Sequence, residues 1–128
     1  MKVLLDTTVL IDVFRGRNNR RAILERLVSE GHELCTSALN VAEVYAGIRG
    51  SEEKETETFL EALECFSIGK STGKLAGQLK NESARKGKTL ALADTIVAAV
   101  ALEQNCVLAT DNVKDFTMAR LTLYPLHR

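Results

Sequence analysis

Cysteine and histidine are scarce in this chain of 128 residues, and their arrangement excludes two kinds of protein. The cysteines, Cys35, Cys65 and Cys106, are widely spaced in apolar sequence, and the histidines, His32 and His127, have no ligand-like neighbours. A disulfide framework or a zinc site needs closer cysteine spacing or histidine partners. We therefore expect buried free thiols and neither a disulfide scaffold nor a zinc protein.

Long apolar runs and an N-terminal signal sequence are also missing. No apolar stretch reaches the roughly 18 residues needed to span a bilayer. Lys2 leads directly into a short strand pattern that ends at Asp6, unlike a signal peptide. We therefore expect a cytoplasmic protein that does not associate with a membrane.

Net charge is zero, because 17 Lys and Arg balance 17 Asp and Glu. No global basic field therefore indicates a nucleic-acid partner. The charges are nevertheless segregated, with acids concentrated in residues 51–64 and cations in residues 15–21 and 70–88. Each run can be a solvated helix face, whereas the two basic runs can also form a rim that holds phosphates.

Short apolar runs alternate with segments of helical periodicity along the chain. The predicted strands cover residues 2–5, 33–36, 65–68, 106–109 and 121–124. The predicted helices run from a cap at Thr7 or Thr8 to Phe14, over 22–28, from Ser37 to Gly47 or Gly50, and over 52–63, 71–86 and 92–104. This alternation predicts one α/β domain over residues 1–128, with a parallel sheet covered by helices on both faces.

Four acids lie where apolar segments begin or end, or interrupt them: Asp6, Glu43, Asp94 and Asp115. Ionised carboxylates beside buried segments cost free energy unless a cation or hydrogen bonds compensate them. In a parallel α/β sheet the ligand site lies beyond the carboxyl ends of the strands, where Asp6 and Asp115 are expected. If Glu43 and Asp94 reach the same crevice, the four predict a site for a divalent metal.

The chemistry of such a site follows from its ligands. Acids without Cys or His suit Mg²⁺ or Mn²⁺ rather than zinc. Such an ion promotes in-line displacement at phosphorus.

Each acid also has a structural interpretation. Asp6 and Asp94 can be helix N-caps, and Asp115 can close an Asx turn before Phe116. Glu43 is harder to explain as part of a solvent face, because Asn40 is its only polar companion in residues 39–46. All four being structural together is the less favoured interpretation.

Four stretches stand in a defined order: Val3 to Asp12, Thr36 to Glu43, Leu92 to Ala99, and Thr110-Asp111-Asn112-Val113-Lys114-Asp115-Phe116. Together they resemble PIN-domain ribonucleases, and in particular the VapC-type toxins of toxin–antitoxin pairs. No single motif is specific, but the ordered set covers essentially the whole chain. The resemblance implies an α/β/α three-layer sandwich around a mainly parallel sheet of four to five strands. It also implies Mg²⁺-dependent RNA cleavage, a homodimer, and inhibition by a cognate VapB-type antitoxin.

By this resemblance Asp6, Glu43 and Asp94 match the three acids of the family, with Asp6 and Asp94 as direct metal ligands. Asp115 matches the fourth acid of a Thr-x-Asn-x-x-Asp-Phe pattern, and Asn112 its asparagine. These four acids are the predicted catalytic and metal-binding residues.

Supporting roles follow from the same resemblance. Thr8 stands where the family often has Asn or Ser, and its hydroxyl is expected to hold a metal-bound water or orient Asp6. Thr110 is expected to act similarly, and the role of Asp111, on a variable position, is open. The candidates for contact with the RNA backbone are Arg15, Arg17, Lys86 and Lys88.

Other classes of protein share parts of this pattern. A haloacid-dehalogenase-type phosphatase also begins with a strand and an Asp, but it needs a second Asp two positions later, where this chain has Thr8. A non-catalytic α/β interaction module would keep the scaffold without the reaction. Within the PIN class, a housekeeping RNA-processing nuclease or a DNA-structure nuclease is an alternative to a toxin. The compact length of the chain favours the toxin.

Overall fold

A computed structural model describes residues 1–126, and in it strands and helices alternate along the chain. The strands are β1 (Lys2–Leu5), β2 (Glu33–Ser37), β3 (Glu64–Phe66), β4 (Cys106–Ala109) and β5 (Leu123–Tyr124). The helices are α1 (Thr7–Arg15), α2 (Arg20–Ser29), α3 (Ala38–Gly47), α4 (Glu53–Glu61), α5 (Lys70–Arg85) and α6 (Leu92–Glu103). The interpretation of His127 lies outside the described residues.

The five strands form one all-parallel sheet in the order β3-β2-β1-β4-β5. The predicted parallel α/β fold is therefore confirmed. The chain builds one half of the sheet outward from β1 through β2 to β3, then crosses to β4 and β5 on the other side. This reversal places the switch point between β1 and β4, where crevices form beyond the carboxyl ends of the strands.

The central strands are apolar on both faces because each face is covered by helices. Leu4 and Leu108 pack in a core with α5 and α6. Val3, Leu5 and Ala109 point the other way, into a core with α1 and α2. All five are fully buried, as the two-residue period of a strand requires in a sheet buried on both sides.

Helix α6 is the most buried of the described helices, with residues 97–101 inaccessible or nearly so. It begins at Leu92 after the N-cap Ala91, so Asp94 is its third residue. The interpretation of Asp94 as the N-cap was therefore wrong. A carboxylate in the first turn still meets the positive end of the helix dipole, but it has no capping bond to make.

Several boundaries differ from those predicted. The helix expected over 52–63 is a 3-10 turn at Gly50–Glu52 followed by α4, and the last strand has only two residues. Cys35 and Cys106 are buried as expected, whereas Cys65 is exposed, since β3 lies at the edge of the sheet. None of the helices within residues 1–126 is long and apolar enough to cross a bilayer.

Candidate metal-dependent nuclease site

Asp6 lies at the centre of the sheet, directly after β1, and it is 5% exposed. Its backbone is extended and it serves as the N-cap of α1, because its Oδ1 accepts a bond of 2.9 Å from the N–H of Thr7. Asn40 Nδ2 donates to the same oxygen over 3.2 Å. Thr110 Oγ1 donates to Oδ2 over 2.7 Å. Asp6 is therefore both the N-cap of α1 and a candidate residue of the site.

Glu43 reaches the same crevice from α3. Its Oε1 accepts a bond of 2.7 Å from the hydroxyl of Thr7, which in turn accepts one of 3.0 Å from Asn40 Nδ2. Asn40 is fully buried and is oriented by Ser37, the N-cap of α3, whose hydroxyl donates to Asn40 Oδ1 over 2.6 Å. One hydrogen-bonded chain thus connects the ends of β1 and β2 to Glu43.

Asp94 completes the cluster from the opposite side, in the first turn of α6. Its pKa is raised, first by burial and then by the negative charges of Asp6, Asp115 and Glu43. The pKa of Asp6 is also raised by burial, against the lowering effect of its bonds from Thr110 and Thr7, with a further rise from Glu43. Like-charge repulsion therefore acts on Asp94 from the other three acids, and on Asp6 from Glu43.

No cation of the chain neutralises this cluster within residues 1–126, because the ion pairs there involve other acids. In the same part of the chain no three His, Cys, Asp or Glu side chains already stand close enough to enclose a metal. A donor set of carboxylates without Cys or His suits a hard cation that keeps several of its waters. The donor set therefore fits Mg²⁺ or Mn²⁺.

The segment after β4 contains two acids with different surroundings. Asp111 Oδ1 accepts a bond of 2.5 Å from Arg20 Nη2, so its charge is matched. Asp115 ends a 3-10 turn, Val113–Asp115, and its charge reaches Asp94. The backbone N–H of Asn112 donates to Thr110 Oγ1 over 3.0 Å. Of the two acids, Asp115 is the one whose charge contributes to the raised pKa of Asp94.

On α1 the threonine that contacts Asp6 is Thr7, whereas the sequence suggested Thr8. Thr8 is exposed and makes no hydrogen bond to Asp6 within the described chain, whereas Thr7 contacts both Asp6 and Glu43. A contact of Thr8 with a metal-bound water stays a prediction. No role was predicted for Asn40, although its spacing of three residues makes it a neighbour of Ser37 on one side and of Glu43 on the other.

The predicted phosphate contacts are only partly accessible. Arg15 bonds Glu52 through Nε and Nη2, both over 3.2 Å, and also the carbonyl of Gly47. Arg17 and Lys86 are exposed. The ammonium of Lys88 donates to the carbonyl of Lys114, the residue before Asp115. Lys88 therefore approaches the acidic cluster, while the charge of Arg15 is already matched.

A separate apolar groove of about 860 Å³ lies between α1, α2 and α4. Its walls include Phe14, Leu24, Val28 and Phe59, and none of the four acids lines it. Val28 is 57% exposed there. The walls also carry charged side chains, namely Arg21, Glu25, Lys54 and Glu55.

The fold and the crevice together define a parallel α/β protein with an acidic, oxygen-lined site at its switch point. Residues 3–120 match the family model of the PIN domain. Ribonuclease VapC19 of Mycobacterium tuberculosis is 30% identical over 115 residues, which cover 90% of this chain and 92% of that protein. The chain therefore belongs to the PIN-domain family, among its VapC-type ribonucleases.

Further relatives agree with this membership. Ribonuclease VapC2 of Haemophilus influenzae is 30% identical over 121 residues, covering 91% of this chain and 90% of that protein. The tRNA(fMet)-specific endonuclease VapC of Salmonella typhimurium is 28% identical over the same length and the same shares of both proteins. Membership of this family excludes the haloacid-dehalogenase-type phosphatase considered above.

Solved structures show the same architecture. A toxin–antitoxin complex from Klebsiella pneumoniae contains a chain with a TM-score of 0.82 and 27% identity, covering 98% of this chain and 99% of that one. VapBC2 from Rickettsia felis, bound to a DNA fragment from its promoter, gives a TM-score of 0.85 at 23% identity, with 97% and 98% covered. The second likeness concerns the fold alone.

Proposed function

We propose that the chain, as a single nuclease domain, is a Mg²⁺-dependent endoribonuclease and the toxin of a VapBC-type pair that acts in the cytoplasm. Two observations support this proposal: the charges of Asp6, Asp115 and Glu43 all act on Asp94, and none of these four acids has an ion-pair partner in residues 1–126. Charges that repel one another in a partly buried crevice destabilise the fold unless a ligand compensates them. A retained cost of this kind favours a functional site over a structural one.

Asp6 and Asp94 are the residues proposed to hold Mg²⁺ or Mn²⁺ directly, with Glu43 and Asp115 completing the charge around it. When bound, such a cation lowers the pKa of a water and neutralises charge on a phosphodiester. The protein contributes orientation, because three hydrogen bonds hold the Asp6 carboxylate in one position.

Glu43 is proposed to take the proton of the attacking water. Its Oε1 is held by Thr7, and Oε2 makes no hydrogen bond to residues 1–126. A carboxylate fixed at one oxygen and open at the other can accept a proton without losing its orientation. Proton transfer by a positioned side chain typically contributes about 10²- to 10⁴-fold to rate.

The direct test is incubation of the purified protein with total RNA, with and without Mg²⁺, followed by mapping of the cut ends. Transfer RNA belongs in the assay because one relative carries a tRNA-specific name. Asp94→Asn is the inactive variant, and Asp12→Asn, which removes a carboxylate that accepts a bond from Asn18 instead, is its matched control. Cleavage that persists in EDTA or in Asp94→Asn contradicts the proposal.

Substrate binding is proposed to use Lys86 and Lys88, with Arg17 on the opposite basic run. Reversing Lys86 and Lys88 to Glu should weaken RNA binding and flatten its dependence on salt, because fewer phosphate contacts release fewer counterions. Lys54→Glu, an exposed cation on α4, is the control. An unchanged salt dependence would mean that Lys86 and Lys88 are solvated surface residues that do not contact the RNA.

The proposed partners are a cognate VapB-type antitoxin and a second copy of the chain. Relatives crystallised as toxin–antitoxin complexes support the first. The apolar groove beside α2 is a surface of the size and polarity that a partner segment can fill. Co-expression with the antitoxin should suppress RNA cleavage, and light scattering of the free toxin should give the mass of a dimer.

A further inference from the structure

Arg20 is the largest fully buried side chain of the described residues, and the proposed mechanism does not use it. It is 1% exposed, although arginine is almost never fully buried unless paired. Its Nη2 donates to Asp111 Oδ1 over 2.5 Å, and its Nη1 donates to the carbonyl of Asn18 over 3.1 Å. A charge held this way must be paired, because removing one partner leaves the other uncompensated.

The turn between α1 and α2 has a specific backbone conformation that directs Arg20 into the interior. Asn18 and Asn19 both have left-handed backbone, with φ of 54° and 57°. Asn18 Nδ2 also donates to Asp12 Oδ2 over 2.8 Å, which ties the connection to α1. Non-glycine residues rarely adopt positive φ, and asparagine is among those that tolerate it. Arg20 therefore enters the interior from a turn whose shape is specified by its own residues.

Asp111, the partner of Arg20, lies between two residues that hold the nuclease site. Thr110 on one side donates its only hydroxyl proton to Asp6 Oδ2 over 2.7 Å. Asn112 on the other side donates its N–H to that same hydroxyl over 3.0 Å. Anchoring Asp111 thus restrains the turn that sets the direction of the Thr110 hydroxyl. The restraint originates 91 residues away in the chain.

The pair also compensates the charge of a carboxylate that lies next to the site in sequence. Asp111 directly follows Thr110, the residue that donates to Asp6. The guanidinium of Arg20 compensates the negative charge of Asp111. The acids that act on Asp94 are instead Asp6, Asp115 and Glu43.

We propose that Arg20 is a positioning residue of the nuclease site: through Asp111 it holds the turn of residues 110–112 against Asp6 and keeps Asp111 out of the metal-binding set. Its effect on cleavage rests on the proposed function. The effect of Arg20 on metal binding does not depend on the proposed function, because metal affinity can be measured without RNA. Residues that orient a metal ligand typically change metal affinity or activity by about 10- to 100-fold when they are replaced.

The experiment separates positioning from simple stability with two variants. Arg20→Met leaves Asp111 without its cation and can fail to fold. The double variant Arg20→Met and Asp111→Leu replaces the ion pair by apolar side chains, a change that often preserves stability. Arg26→Met is the matched control, because Arg26 lies on the same helix and pairs with Glu30 on the surface. Thermal melts establish which variants are folded.

Mn²⁺ affinity by calorimetry, and kcat and KM on a labelled RNA, are then measured on the folded variants. We expect the double variant to lose about 10-fold or more in Mn²⁺ affinity and in kcat, with little change in KM, while Arg26→Met matches the wild type. A folded double variant with wild-type Mn²⁺ affinity and kcat overturns the proposal and leaves Arg20 a structural residue. If Mn²⁺ affinity depends on Arg20 but no RNA is cut even by the wild type, the positioning role stands and the nuclease function fails.

Discussion

Two acidic regions meet near the ends of β1 and β4, and the protein treats their charge in opposite ways. Asp111 forms an ion pair with the buried guanidinium of Arg20. Asp6, Glu43, Asp94 and Asp115 have no such partner in residues 1–126 and raise one another's energy instead. The ion pair of Arg20 and Asp111 is part of the scaffold. The four acids without an ion-pair partner instead need a bound cation to compensate their charge.

The largest expected effect is on activity, from Asp94→Asn. Removal of one carboxylate from the cluster should lower cleavage by about 100-fold or more, as expected for a group at the reacting site. The free energy of unfolding should stay equal or rise, because one repelling charge is gone. Cleavage assays and chemical denaturation measure the two quantities. An unfolded variant would indicate that Asp94 has a structural role.

Removal of the cation from the compensated region should have the opposite consequence. Arg20→Met should lower the free energy of unfolding by about 3–5 kcal/mol, because it leaves Asp111 partly buried and unpaired. Urea denaturation is the measurement, with Arg26→Met as the exposed control on the same helix. A loss no larger than that of the control would mean that the buried pair is not a structural element.

Metal binding should stabilise the cluster and leave the ion pair unaffected. At a Mg²⁺ or Mn²⁺ concentration 100 times the dissociation constant, linkage adds about 2.7 kcal/mol to the free energy of unfolding. The melting temperature should therefore rise with either ion and fall back when EDTA is added. Asp94→Asn should reduce this rise, and Asp12→Asn should keep it. A melting temperature indifferent to the ions in the wild type would count against the site.

The pH dependence of the metal-free protein should have opposite slopes for unpaired and paired acids. The pKa values of Asp6 and Asp94 are raised above 3.8 in the folded state. The folded state then binds more protons than the unfolded one, so stability falls as pH rises from about 3.8 through the raised values. Denaturation across this window should show that fall, and Asp94→Asn should reduce it.

Glu52 provides the paired counterpart, and its expected effect is the smallest. The hydrogen bond from Arg15 is the main cause that lowers the pKa of Glu52 from 4.5 to about 2. Its contribution to stability is present above 4.5 and is lost as pH falls toward 2. Glu52→Gln should therefore flatten the acid limb of the stability curve. An unchanged limb would mean that solvent screening removes the effect.

Local pattern was sufficient for the architecture. The apolar runs at β1 and β4 and the helical periods between them are properties of contiguous residues, and they predicted a parallel sheet covered on both faces. The ends of the helices and strands were harder to predict. Asp94 was interpreted as a cap because Asp is a favoured cap residue, yet the extended backbone of Ala91 begins α6 three residues earlier. One residue's preference is small beside the packing of a whole helix.

The four acids were candidates in the sequence because each lies beside or within an apolar segment, but the residues that hydrogen-bond to them were not predicted. Thr7 and Thr8 are alike in sequence, and only the rotation of about 100° per residue along α1 decides which one faces Glu43. Asn40 was legible in principle from its three-residue spacing to Ser37 and Glu43. Its bonds to Asp6 and Thr7 depend on how α3 meets β1, which no spacing within α3 specifies.

The amino-acid sequence by itself determined the order of strands and helices and the sheet covered on both faces, because burial and backbone geometry act between near neighbours. It also marked the four carboxylates as candidates. Only the tertiary structure decided that Asp111 pairs with Arg20, whereas Asp115 has no ion pair within residues 1–126. The reason is that electrostatic energy depends on distance in space. Arg20 reaches Asp111 only after the chain has folded.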